Sequence, residues 1–137
     1  REYILVSTLE KENISFKILE GDVKLENPIA MNFRTVADKN IILDSKIAQL
    51  DFDKLQFPLT LRKWKEGDKF IPLGMQSFKK LSDFFIDNKF SILDKNKQWL
   101  LCSDNDIIWV VGHRIDDRFR IQSTTKKLYI AELLNNE

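Results

Sequence analysis

The 137-residue sequence is short of several things, and each shortage closes a class of function. Cys102 is the only cysteine, so no intrachain disulfide can form, and a reducing, cytoplasmic setting is the simpler expectation. His113 is the only histidine, which excludes a multi-histidine metal site. Only four glycines occur, and Gly67 and Gly74 stand too far apart to form a Gly-rich phosphate cradle. No apolar run comes near the ~20 residues of a membrane helix, and no signal-peptide pattern is present. Repeats, low-complexity tracts and obvious linkers are missing as well. The chain starts at Arg1 without an initiator methionine and runs at once into the apolar stretch Tyr3-Ile4-Leu5-Val6, which suggests a piece of a longer protein.

What is present supports a folded domain. With 43% hydrophobic and 11% aromatic residues there is material for a core without metals or disulfides. The length fits one domain or two small packed lobes. The net charge of +1 conceals an asymmetry: residues 1–61 carry 8 basic and 10 acidic side chains, whereas residues 62–127 carry 14 and 9. The densest concentration is in residues 61–87, where Arg62, Lys63, Lys65, Lys69, Lys79 and Lys80 surround Gly67, Pro72 and Gly74. A local cationic surface on a rigid scaffold suits a polyanion such as RNA.

Periodicity predicts mostly strands. Ile14, Phe16 and Ile18 alternate over 14–19, Glu20-Gly21-Asp22 reads as a turn, and alternation resumes over 30–36. A short apolar strand is expected at 41–43, and another over 59–64 after Pro58. Phe78, Leu81, Phe84 and Phe85 fall on one helical stripe, which predicts a helix over 78–88 with Ser77 as N-cap and Lys79 and Lys80 in its first turn. Two strands over 98–102 and 107–111 would be joined by a turn at 103–106, with Gly112 ending the second. A further pair is expected over 119–122 and 128–133. Strands, a central helix and more strands make an α+β domain.

Several spaced blocks carry a resemblance. They are Leu61-Arg62-Lys63-Trp64-Lys65-Glu66-Gly67-Asp68-Lys69-Phe70, Pro72-Leu73-Gly74, Lys79-Lys80-Leu81-Ser82-Asp83-Phe84-Phe85, and Trp109-Val110-Val111-Gly112-His113-Arg114-Ile115-Asp116-Asp117-Arg118-Phe119. Their order and spacing resemble the C-terminal domain of bacterial tRNA(Ile)-lysidine synthetases over about residues 59–133. The segment 49–55 resembles the strand-turn before the family's basic block, and residues 1–45 match only loosely. The resemblance implies an α+β fold, a small β-sandwich with packed helices, related to a domain of the phenylalanyl-tRNA synthetase β-subunit. It divides the chain into a strand-rich lobe, 1–58, and a tRNA-binding domain, 59–137.

The resemblance also implies that the full enzyme uses ATP, with Mg, and lysine to convert the wobble cytidine of tRNA(Ile) to lysidine. That chemistry belongs to an N-terminal domain whose Ser-Gly-Gly-x-Asp-Ser loop does not occur here. This chain is then expected to be non-catalytic and to hold no cofactor or metal of its own. Its partners would be tRNA(Ile) and its own catalytic domain, with a homodimer possible and no membrane. After the helix the sequence departs from the family: residues 92–97 carry lysines where many members have a proline and arginines, so Lys95 and Lys97 are assigned no RNA contact.

A-form RNA hides its base edges in a deep groove, so a tRNA stem is recognised by phosphate and 2′-hydroxyl contacts. The expected tRNA-binding residues are Arg62, Lys63, Lys65, Lys69, Lys79, Lys80, Arg114 and Arg118, each weighed against ordinary surface charge. An ion pair such as Arg118 with Asp116 or Asp117 would add little if exposed. Trp64, Trp99 and Trp109 read as core, as do Phe84 and Phe85. His113 belongs on a loop, either meeting RNA or simply exposed. Cys102 reads as buried, and Asp116 and Asp117 as holding the neighbouring arginines more than forming a metal or acid–base pair. Two rivals to tRNA recognition stand: a protein-interaction or dimerisation module, and a metal-dependent hydrolase on Asp116 and Asp117.

Overall fold

The computed structural model describes residues 14–134; the apolar run at 3–6 lies outside them. Ser15–Ile18 (β1), Leu59–Lys63 (β5), Trp99–Ser103 (β8), Asp106–Val110 (β9) and Arg114–Ile115 (β10) form a sheet in the order β1-β5-β8-β9-β10. Lys24–Leu25 (β2), Met31–Val36 (β3), Ile47–Asp51 (β4) and Leu128–Leu133 (β11) form a second, ordered β2-β3-β11-β4. A two-stranded ribbon pairs Lys69–Phe70 (β6) with Lys79–Lys80 (β7). Helices run over Leu81–Asp87 (α1) and Ile92–Lys97 (α2). Every strand pairing is antiparallel.

Alternation along β8 and β9 builds three layers. Leu101 and Trp109 face the second sheet, joining Ile18, Leu59 and Leu61 against Met31, Phe33, Ala48, Leu50, Tyr129 and Ala131. Leu100, Cys102, Ile107 and Val110 face the other way, onto Phe70 of the ribbon and Leu81, Phe84 and Phe85 of α1. A strand covered on both sides has no polar face to keep, which is why β8 and β9 read as continuous apolar runs. Both sheets draw strands from either side of residue 58.

Most predicted elements form. The 20–22 turn, the strands at 31–36 and 59–63, the β8–β9 hairpin and the end of β9 before Gly112 (φ 84°) stand where periodicity put them. Three expectations fail. The helix begins at Leu81, with Lys80 as an N-cap that makes no side-chain bond, because Lys79 and Lys80 are recruited into β7 and the Leu81 N–H donates to the Asp68 carbonyl at 2.9 Å. Ser77 therefore caps nothing, and Phe78 leaves the buried stripe to stand 50% exposed. Residues 41–43 form no strand. They cross the surface with Ile41 72% and Leu43 95% exposed, and Ile42 is tied to Gln49, its N–H donating to Oε1 at 3.0 Å.

The pair expected at 119–122 and 128–133 is also absent. Phe119 closes a 3-10 turn, Asp117–Phe119, capped by the Asp116 side chain, while β11 pairs with β3 and β4. Helix α2 escaped the periodic reading because none of its residues is buried. What starts it is a reciprocal cap: the Asp94 N–H donates to Ser91 Oγ at 3.0 Å, and the Ser91 N–H donates to Asp94 Oδ2 at 2.9 Å.

Candidate nucleic-acid interface

The basic segment is organised by one buried carboxylate. Residues 65–68 turn sharply, with Gly67 at φ 94°, a value L-residues avoid. The turn aims Asp68 back at the strand that preceded it. Arg62 on β5 forks onto Asp68, Nη1 to Oδ2 at 2.9 Å and Nη2 to Oδ1 at 3.0 Å, and the Lys65 N–H adds a bond to Oδ2 at 2.7 Å. Burial alone would raise the Asp68 carboxyl, but the Arg62 fork and the Lys65 N–H outweigh it and hold it below the usual carboxylate value. Burial would likewise lower Arg62, yet its bonds to Asp68 leave it raised. Arg62 thus acts as a strut; its donors face Asp68 and the Lys63 carbonyl.

Beyond the turn, the ribbon sets Lys69 directly opposite Lys80 and Phe70 opposite Lys79. Phe70 is fully buried, so the alternate face, carrying Lys69 and Lys80, is turned to solvent and both lysines are exposed. Like charges directly opposite each other destabilise an antiparallel pair. Among the described residues neither lysine has a carboxylate partner, whereas Lys79 is ion-paired with Asp87 and Lys65 with Asp68.

The loop over 71–78 is fastened to residues 115–118. The Ile71 N–H donates to Asp116 Oδ2 and the Gly74 N–H to Asp117 Oδ1, both at 2.9 Å, and the Leu73 N–H donates to the Ile115 carbonyl at 3.0 Å. Asp116 is fully buried and accepts three further bonds, all from Arg118: N at 2.8 Å and Nε at 2.9 Å on Oδ1, and Nη2 at 2.9 Å on Oδ2. A bond to Asp116 leads the causes that raise the Arg118 pKa. The pair is therefore an internal fastener and more than the weak surface pair expected from the sequence. With both oxygens engaged, Asp116 has no lone pair directed at a metal. Asp117 holds Arg120 at 2.9 Å.

This fastening brings Arg118 to the ribbon. The Phe78 ring lies 4.7 Å from Lys69 Nζ and 5.0 Å from the Arg118 guanidinium carbon. Lys69, Lys80, Phe78 and Arg118 therefore share one neighbourhood. Lys63 is turned elsewhere, 4.4 Å above the Trp99 ring with Nζ on the Asn96 carbonyl. Arg114 is exposed on β10 and lines an apolar groove of about 330 Å³ with Ile41, Leu43, Leu73 and His113. His113 is exposed in the turn after β9, its ring 5.0 Å from that of Phe90, and partial desolvation beside that ring lowers its pKa more than Asp94 raises it. Cys102 is buried, which pushes its thiol up to about 11. Trp109 is buried as expected, and Trp64 and Trp99 are half-buried against the two cores.

Phe78 is the residue the sequence reading missed: helical periodicity assigned it to the core. The available signal was the Pro72-Leu73-Gly74 turn ahead of it, which allows residues 79–80 to fold back on 69–70 as a strand.

The sequence profile of the TilS substrate C-terminal domain matches residues 59–132. The chain belongs to this family. A tRNA(Ile)-lysidine synthase of Parabacteroides distasonis is 47% identical over 138 residues, covering 98% of this chain and 32% of its own length. One from Bacteroides thetaiotaomicron is 39% identical over 134 residues, covering 98% of this chain and 30% of its own. The chain thus spans about a third of the length of the curated relatives it matches. The crystal structure of a TILS C-terminal domain superposes with a TM-score of 0.71 at 18% identity, covering 90% of this chain and 100% of that one. The N-terminal fragment of the phenylalanyl-tRNA synthetase β-subunit from Pyrococcus horikoshii gives 0.54 at 24% identity, covering 62% of this chain and 27% of that one. These two likenesses are of fold, and they bear out the α+β, phenylalanyl-tRNA synthetase-like architecture that the resemblance implied. Among the described residues no helix is long and apolar enough to cross a membrane, and no three metal-ligating side chains gather.

Proposed function

We propose that this chain is the tRNA-recognition part of a tRNA(Ile)-lysidine synthase and that the ribbon β6–β7 grips the RNA backbone. One observation carries the reading: Lys69 and Lys80 face each other across an antiparallel pair, exposed and, among the described residues, without a carboxylate partner. Two opposed ammonium groups are a cost to the free protein that a bridging phosphate converts into attraction. Lys65 and Arg118 flank this surface, Lys79 stays on the Phe70 face paired with Asp87, and Arg62 holds the turn that shapes the patch. Lys63 and Arg114 would meet RNA only at the margins of this patch.

In the full enzyme, a ligase of tRNA modification, the ATP-dependent joining of lysine to the wobble cytidine would be the work of the catalytic part. No residue set of this chain is proposed to hold ATP. The strands within 1–58 complete both sheets and so support the family block that starts at 59. The apolar groove with Ile41, Leu43 and Leu73 favours a second role beside the first, docking of the catalytic part of the same polypeptide.

The test is the salt dependence of tRNA(Ile) binding. Each phosphate contact contributes a log–log slope of roughly −0.7 to −0.9. Lys69→Ala and Lys80→Ala are each expected to weaken binding and to flatten the slope by about one contact. Unchanged affinity and slope in both variants would refute the ribbon as the grip. Binding that persists undiminished in high salt would instead favour the docking role alone.

A further inference from the structure

We infer that Phe78 is a stacking platform for an unpaired RNA base, placed beside the phosphate-gripping lysines of the ribbon. The inference rests on the tRNA-binding reading and adds to it a second kind of contact, with a nucleobase. The ribbon alone suits a duplex backbone, because base edges in an A-form stem are out of reach. An exposed aromatic ring suits something else: the face of a base that is not already stacked in a helix.

Two observations set Phe78 apart from a stray surface phenylalanine. It is 50% exposed although it lies in the chain between buried Phe70 and buried Leu81. Its loop is fixed at both ends, by the bonds that the Ile71, Leu73 and Gly74 N–H groups donate to Asp116, Ile115 and Asp117 and by the pairing of Lys79 with Phe70. The ring is therefore displayed on a rigid support, and the ordering of a flexible loop need not oppose binding.

Its two cationic neighbours differ in kind. Arg118 is locked by Asp116 and Asp106, so it is a permanent backing to the ring. Lys69 lies over the same ring, but among the described residues no carboxylate holds it. Cation–π contact at an exposed site is weaker than base–aromatic stacking, so a base can displace Lys69 from the ring. The freed ammonium then lies within a side chain's swing of Lys80, where the backbone phosphate flanking the stacked base would be gripped. The ligand this selects is a single-stranded nucleotide adjoining a duplex, as at a 3′ extension of a stem.

The test uses two RNA hairpins of the same stem. One carries an unpaired 3′ extension containing 2-aminopurine, and the other is blunt. The expected result is tighter binding of the extended hairpin, with 2-aminopurine fluorescence quenched on binding. Phe78→Ala and Phe78→Leu should weaken binding of the extended hairpin roughly 5- to 150-fold and abolish the quench. Both should leave the blunt hairpin unaffected, and Phe78→Trp should restore both signals. Leu fills the same apolar space without a π-face, so it separates stacking from simple packing.

Equal binding of the two hairpins by the unaltered protein, or a Phe78→Leu variant that quenches normally, would overturn the platform. If both hairpins bind alike with the salt slope intact, stacking fails and the ribbon reading stands. If neither binds at low salt, both fail together.

Discussion

Asp116 is the side chain on which the site's geometry depends. Its four hydrogen bonds join a loop amide, a neighbouring backbone N–H and a guanidinium, with the carboxylate fully buried. Asp116→Ala would orphan two backbone N–H groups and release Arg118 into water, at an expected cost of about 2–4 kcal/mol. Asp117→Ala, next along the chain, removes the pair to a half-exposed Arg120 and one loop bond, and should cost about 1 kcal/mol. Urea unfolding of the two variants checks the ratio; equal losses would show that burial of Asp116 is not what gives it weight. Much of this was legible from sequence, since the run Arg114-Ile115-Asp116-Asp117-Arg118 advertises carboxylates holding arginines. What could not be read was their depth. Burial is conferred when the 71–78 loop closes over Asp116 and Asp117, and that loop lies far from them in the chain.

Among the elements, those whose periodicity and packing agree were predictable and those decided by partners were not. Strands β3, β5, β8 and β9 alternate or run apolar as their layers require. The start of α1 was misplaced because Phe78 fits the helical stripe as well as Leu81 does; the competing claim came from Asp68, in the turn, and Phe70, in the ribbon, both earlier in the chain. Residues 41–43 are apolar enough for a strand but find no neighbour, which a single segment cannot disclose. Helix α2 is the opposite case, an element with no buried face, held by its Ser91–Asp94 cap. Ser91→Ala should cost about 1 kcal/mol. Because the helix buries nothing, the loss should show as faster amide exchange confined to residues 94–97, with the protection of β8 and β9 unchanged. A global loss of protection would mean that α2 supports the core after all.

At the scale of the molecule, the first sheet is the middle of three layers, and its β8–β9 hairpin touches both cores. Residues 59–137, the tRNA-binding domain delimited from the resemblance, lack β1, β2, β3 and β4, and with them Ile18, Met31, Phe33, Ala48 and Leu50 of the larger core. A 59–137 fragment is expected to be largely unfolded by circular dichroism, while the whole chain folds; a cooperative thermal transition in the fragment would contradict this. The order of the second sheet has a consequence for biosynthesis. Strand β11 lies between β3 and β4, yet it is the last of the described strands to leave the ribosome. Until it emerges, β3 and β4 each lack the neighbour that separates them in the finished sheet, and the inner face of the larger core is open. Completion of this sheet is thus timed by translation of residues 128–133, and a ribosome stalled just before them would hold a nascent chain with two unsatisfied strand edges for chaperones to cover.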